Sequence, residues 1–340
     1  MAVDRFFAGN KSKKVDDPPK TTGDRTRPGA YIYDERLVRV INVAIATGRP
    51  LLLSGEPGTG KTSLAYDIAY TRGWRFYSQT ITSRSQAQAL MWRFNAVQQI
   101  RDVQLLKHEL ETSTGSTAPV DNVGSRLSDV KYVEPGPLWW AHKPADASRR
   151  GATHTTDPLS DPSPFHHDAP YAVVLVDEID KADPDLPNDL LEIFGSLKFT
   201  VTETGHEVKG EHAPLVIITT NQERFLPDAF VRRCICYELP PITKNSLLKV
   251  GQSHLGGKLN KAMMEEALDQ FWKLVELARN KSIRAPSTAE FLDLLHACNH
   301  LDIRSKNDPA WPQQVVDVVW KDSKTSKDAA DQLSNDEQDH

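Results

Sequence analysis

Between Leu51 and Thr62 the chain reads Leu-Leu-Leu-Ser-Gly-Glu-Pro-Gly-Thr-Gly-Lys-Thr, and this stretch limits the fold more than any other. Three apolar residues run into Gly55, four residues separate Gly55 from Gly60-Lys61-Thr62, and Ser63 to Tyr70 continues with helical spacing. Strand, glycine loop and helix in that order carry the P-loop pattern G-x-x-x-x-G-K-T. The residue types follow from the chemistry. Gly55, Gly58 and Gly60 let backbone N–H groups turn inward around phosphate oxygens in conformations that a Cβ resists. A helix opening near Lys61 aims its positive dipole end at the same oxygens. Glu56, Pro57, Thr59 and Ser63 complete the candidate cradle. Lys61 adds a point charge for β- and γ-phosphates, and the Thr62 hydroxyl suits a Mg2+ shell.

A second element constrains the chain almost as strongly. Tyr171-Ala-Val-Val-Leu-Val-Asp-Glu-Ile-Asp180 places consecutive apolar residues, Val173 to Val176, before two carboxylates. Such a run reads as a strand buried on both faces, as in a parallel sheet. Open α/β sheets bind ligands beyond the carboxyl ends of their strands. Beside a P-loop this is the Walker B arrangement, with Asp177 for Mg2+ and Glu178 for the attacking water. Asp180 and Asp183 read as surface turn residues. A third buried strand, Pro214 to Asn221, ends in an amide that either holds water or a γ-phosphate oxygen or caps the next turn.

The remaining pattern fills in around these segments. Asp34 is a candidate N-cap for a helix over 34–47, with Leu37, Val38, Ile41 and Ala44 at helical spacing. Arg75 to Gln79 reads as a strand and Gln86 to Leu106 as one long helix. Polar stretches between about 107 and 169 read as an insertion or flexible loop, with Trp139 and Trp140 packed inside and His154, His166 and His167 in solvent. A short helix is expected over 188–194 and a hairpin over 198–209 about Thr204-Gly205. Leu226 to Cys234 reads as a short helix ending in Arg232 and Arg233, which either cap it or reach a neighbouring nucleotide. Cys234 to Glu238 reads as a fifth strand. Beyond Pro241, four helical patterns (243–255, 261–280, 288–296 and 312–320) form a separate all-helical domain. The expected layout is a flexible tail over 1–30, an α/β nucleotide-binding domain over 31–241, a helical lid over 242–320 and a disordered acidic tail over 321–340.

Composition narrows the function classes. The formal net charge of -5 supplies no global attraction for nucleic acid. Three cysteines make neither a disulfide framework nor a zinc quartet, and Cys234-x-Cys236 reads as two small residues in or beside a strand. With no apolar run long enough to span a bilayer and no leader pattern at the N-terminus, a cytoplasmic setting is the expectation.

Taken together, the motifs resemble the AAA+ superfamily, and within it the MoxR branch, over roughly Tyr31 to His300. The resemblance rests on Arg49 to Thr62, Val174 to Asp183, the hairpin with Thr202-Glu-Thr-Gly205, and Thr219-Thr-Asn221 followed by Leu226 to Arg233. It implies a five-stranded parallel sheet in 5-1-4-3-2 order, a helix-2 insert, a small all-helical lid, and hexameric rings with ATP and Mg2+ at subunit interfaces. Asn221 then matches sensor 1, and Arg232 and Arg233 both cover the arginine-finger position. The third lid helix departs from the pattern: Thr288 stands near the place of a sensor-2 arginine, with Arg284 nearby. The implied activity is ATP hydrolysis coupled to remodelling of a client, with a von Willebrand factor A partner. The alternatives are a slow-turnover switch or scaffold in a signalling or defence complex and, less favoured by the charge, a nucleic-acid motor.

Overall fold

The computed structural model describes residues 29–112, 127–151, 157, 165, 168–194, 197–255, 259–281, 284–300, 303 and 311. Its contacts divide into two compact units. One holds Tyr33–Gly55 and Leu64–Leu239; the other holds Met1–Ile32, Glu56–Ser63 and Pro240–His340.

The first unit is built on a parallel sheet. Its strands are β1 (Leu51–Ser54), β2 (Arg75–Thr80), β5 (Ala172–Asp177), β8 (Leu215–Thr219) and β9 (Ile235–Glu238), in the order β2-β5-β8-β1-β9. These labels count four strands of two small antiparallel pairs; the five sheet strands alone, numbered along the chain, read 2-3-4-1-5 from the β2 edge. Burial explains the composition. The central strands β5 and β8 are apolar almost throughout because both of their faces are covered, whereas edge strands β2 and β9 alternate buried and accessible residues. Helix α1 (Glu35–Thr47) starts where the Asp34 carboxylate accepts the Leu37 amide at 2.7 Å, and buries Leu37, Ile41 and Ala44. Helix α2 (Lys61–Arg72) follows the glycine loop.

The helix expected over Gln86–Leu106 is corrected. A 3-10 turn at Ala87–Leu90 leads to strand β3 (Trp92–Phe94), and helix α3 (Ala96–Thr112) begins only afterwards. Strand β3 pairs antiparallel with β4 (Val133–Pro135). Distant partners decide this: the Trp92 ring stacks on Phe199 at 5.7 Å, and its Nε1 donates to Glu203 at 2.8 Å. Asn95 then accepts the Gln98 amide and starts α3. Val97 and Ile100, two of the apolar residues behind that helical pattern, are exposed, as is Leu105.

Polar residues around 143–151, expected to be insertion or loose loop, are structured. Helix α4 (Pro137–His142) buries Leu138, Trp139 and Trp140, and α5 (Pro144–Ala147) follows it. The buried Arg75 guanidinium donates to the carbonyls of Trp140 (2.7 Å), Ala141 (3.0 Å) and Ala169 (2.8 Å), a cation placed where the helix leaves its carbonyls unpaired. The expected hairpin forms as β6 (Lys198–Val201) and β7 (His206–Lys209), with Gly205 at φ 66. Helices α6 (Leu186–Phe194) and α7 (Asp228–Val231) complete this unit. His154, His166 and His167 lie outside the described residues.

The second unit is helical. Its helices are α8 (Lys244–Leu255), α9 (Lys261–Asn280) and α10 (Thr288–His300). They share a core in which Phe271 meets Phe291 at 5.1 Å, beside Met264, Leu274, Leu294 and Leu295. Residues 29–32 belong here too, and Ser253 donates its hydroxyl to the Ala30 carbonyl at 2.9 Å. The expected helix over 312–320 and most of both tails lie outside the described residues.

Candidate nucleotide site

The glycine loop has the backbone that its sequence demands. Gly55, Gly58 and Gly60 all stand at positive φ, at 143°, 77° and 92°. A Cβ on Gly58 would come within 2.2 Å of the Ser287 Cβ, so both the dihedral and the space require glycine there. A Cβ on Gly60 would meet the Tyr31 ring at 3.3 Å. The Glu56 carbonyl accepts the Thr59 hydroxyl at 2.8 Å and the Lys61 ammonium at 3.0 Å. Lys61 is buried at the start of α2, Glu56, Pro57 and Thr62 are exposed, and Ser63 is half-buried.

In the same unit, Arg284 donates to Glu290 at 3.3 Å, and Glu290 also accepts the Ser287 amide at 2.8 Å and the Ser287 hydroxyl. This ties down the first turn of α10 in the manner of a capping box. The signal, Ser287-x-x-Glu290, stands in the sequence three residues after Arg284.

The α/β unit carries the acidic residues. Strands β1, β5 and β8 are parallel, so Gly55, Asp177-Glu178 and Thr220-Asn221 leave the sheet at one edge. The Asp177 Oδ1 accepts the Thr219 hydroxyl at 2.5 Å, and the Glu178 amide donates to that same hydroxyl oxygen at 2.9 Å. Glu178 takes the left-handed conformation (φ 62, ψ 49) immediately after the strand. Its carboxylate accepts the Lys181 ammonium at 2.7 Å. That bond raises the affinity of Lys181 for its proton.

Asp180, expected on the surface, is 3% exposed. Its Oδ2 accepts the amides of Asn221 at 3.1 Å and Glu223 at 3.0 Å, bonds that cannot be read from a turn sequence 41 residues earlier. Asn221 is half-buried at the end of β8. Arg232 and Arg233 are exposed just beyond α7. Thr219, which the motif pattern gave no role, is 1% exposed.

The donors present suit a nucleoside triphosphate and Mg2+. Three positive-φ glycines shape a backbone cradle for anionic oxygens. Thr62 in one unit and Asp177 in the other are each hard oxygen donors, the kind that Mg2+ uses sparingly beside phosphate and water. No group of three or more His, Cys, Asp or Glu that could hold a metal occurs among the described residues. Cys234 stands just before β9, and burial pushes its thiol up to about 12. No helix among the described residues is long and apolar enough to cross a membrane.

Residues 165–270 match the family model described as AAA domain (Cdc48 subfamily). The matched segment contains Asp177, Glu178, Asn221, Arg232 and Arg233, and the glycine loop precedes it. The match supports an AAA+ ATPase. No curated protein matches the chain.

Proposed function

We propose that this AAA+ chain is a Mg2+-dependent ATPase of the MoxR branch that works as an oligomeric ring, hexameric by resemblance, and remodels partner proteins. The observation that carries the reading is the glycine loop. Three left-handed glycines and a lysine at a helix start are arranged for phosphates, and the tight approach at Gly58 leaves no room for another residue.

In this reading Gly55 to Ser63 bind the triphosphate, with Lys61 attracting the β- and γ-oxygens. Thr62 and Asp177 would hold Mg2+, which neutralises charge on the phosphates. Glu178 accepts a hydrogen bond from the attacking water and aligns it, and Asn221 orients the water or a γ-oxygen. Arg232 or Arg233 of a neighbouring copy stabilises charge on the transferring phosphoryl, and Arg284 contributes from the helical lid. A von Willebrand factor A partner fits the MoxR resemblance.

The test is ATP hydrolysis per subunit measured against protein concentration, with Glu178→Gln as control. A rate that rises with concentration and falls by about 100-fold or more in the variant supports a site shared between copies. A concentration-independent rate equal to that of the variant overturns it. That second outcome is what a slow nucleotide switch gives, a reading favoured by one observation: Lys181 already engages the Glu178 carboxylate.

A further inference from the structure

Two kinks stand at the sheet edge that carries Glu178 and Asn221. Glu178 and Gln222 are the two non-glycine residues at positive φ among the described residues. Left-handed backbone at such residues is unfavourable and persists where surrounding contacts over-determine it. One kink follows β5 and the other follows β8, and each is held by a side chain from the other strand or its turn.

The hold is reciprocal. Thr219 of β8 takes the β5 end: its hydroxyl donates to Asp177 and accepts from the Glu178 amide. Asp180, in the turn after β5, takes the chain after β8: its Oδ2 accepts the amides of Asn221 and Glu223, the residues on either side of Gln222. N–H groups on both sides of a left-handed residue form a small anion-binding concavity, here filled by a carboxylate of the protein itself. Asp180 is buried, and its Oδ1 has no hydrogen-bond partner among the described residues. A carboxylate removed from water for two backbone amides is an expensive way to make a turn, and its evident effect is to fix where Asn221 begins.

We propose that Asp180 and Thr219 are positioning residues that set the mutual placement of Glu178 and Asn221 through this crossed pair of bonds. The proposal rests on the reading of Glu178 as the residue that aligns the attacking water. Neither Asp180 nor Thr219 binds nucleotide. Their contribution falls on the chemical step, because a misplacement of about 1 Å in an aligning group lowers turnover by about 100-fold while leaving the phosphate cradle alone.

The experiment compares full-length wild type with Asp180→Asn, Asp180→Ala, Thr219→Val, Thr219→Ser and Glu178→Gln. It measures kcat, the Kd for Mg-ATP and the thermal midpoint of each. Thr219→Val keeps the shape and removes the hydroxyl; Thr219→Ser restores it. Asp180→Asn keeps an acceptor oxygen of weaker charge. The expected result is a kcat lowered about 100-fold in Thr219→Val and Asp180→Ala, and about 10-fold in Asp180→Asn, with Kd within about threefold of wild type. Thr219→Ser returns kcat to within about threefold.

The proposal is overturned if Thr219→Val and Asp180→Asn turn over at the wild-type rate while Glu178→Gln is inactive. It is equally overturned if serine fails to rescue, or if kcat and the thermal midpoint fall while Kd rises in step, which is the mark of a merely structural role. If Glu178→Gln hydrolyses as fast as wild type, the ATPase reading itself falls, and the clamp's role in it falls too.

Discussion

Two carboxylates, Asp180 and Asp146, each tie distant segments together, and they do so by different means. Asp180 joins the end of β5 to the chain after β8 through backbone amides alone. Asp146 joins α5 to the hairpin through side chains. Its Oδ2 accepts from His206 at 2.9 Å and from Trp139 Nε1 at 3.1 Å, and its Oδ1 accepts from Arg150 at 2.9 Å. Rings reinforce that joint, with His206 stacked on Trp139 at 5.8 Å and Arg150 over the same indole at 5.6 Å. A clamp on amides fixes the path of the main chain whatever side chains it carries. A clamp on side chains depends on three particular residues and on their charge. The first fixes the ends of two neighbouring strands; the second fastens a hairpin to the body that carries it.

The comparison can be broken by mutation. Asp180→Ala leaves two amides without their acceptor and lowers unfolding free energy by about 2–3 kcal/mol in urea. Asp146→Ala removes the acceptor of three donors, of which the part-exposed His206 can turn to water, so the loss is about 1–2 kcal/mol. Hydrogen exchange then accelerates in 206–209, whereas in the Asp180 variant it accelerates in 221–223. An identical exchange pattern in the two variants would mean that the clamps are not separate.

Acid sharpens the contrast. Burial opposes ionisation of Asp146, but the bonds from His206 and Arg150, the Arg150 charge and the Trp139 bond outweigh it and hold the carboxyl below its ordinary 3.8. A depressed carboxyl contributes stability that is complete above the unfolded value and is lost as pH falls through the folded one. The urea midpoint of wild type should therefore exceed that of Asp146→Asn by a constant amount above about pH 5, and the difference should shrink towards pH 2–3. A difference that stays flat over that range would show that the charge of Asp146 is irrelevant to the joint. The smallest effect is His206→Phe. It keeps a ring against Trp139 and loses one bond at a partly exposed pair, lowering stability by about 1 kcal/mol or less.

How far the molecule was legible depends on the distance over which its parts are decided. The glycine loop, the buried strands β5 and β8, the hairpin and helices α8 to α10 were readable because each is announced within a dozen residues. Glycine spacing, unbroken apolar runs and 3.6-residue periodicity are local signals. The long helix expected at 86–106 failed for the opposite reason. Its residues have helical spacing, but Trp92 finds Phe199 and Glu203 more than a hundred positions away, and pairing with β4 outweighs propensity. The polar stretch around Asp146 looked like loose chain because a salt-bridged network on a tryptophan has no periodicity to announce it.

The sequence by itself determined the chemical inventory of this protein: a glycine loop from Gly55 to Thr62, two carboxylates after a buried strand, an amide after another, and a helical region beyond Pro241. Tertiary structure decided which groups those residues lean on. Asp180 lies in a stretch that reads like any surface turn, and Thr219 lies in an apolar strand. Both tie the ends of β5 and β8 together because these parallel strands lie side by side, which brings residues 41 and 42 positions apart into hydrogen-bond reach. Burial then left those polar groups no water to prefer.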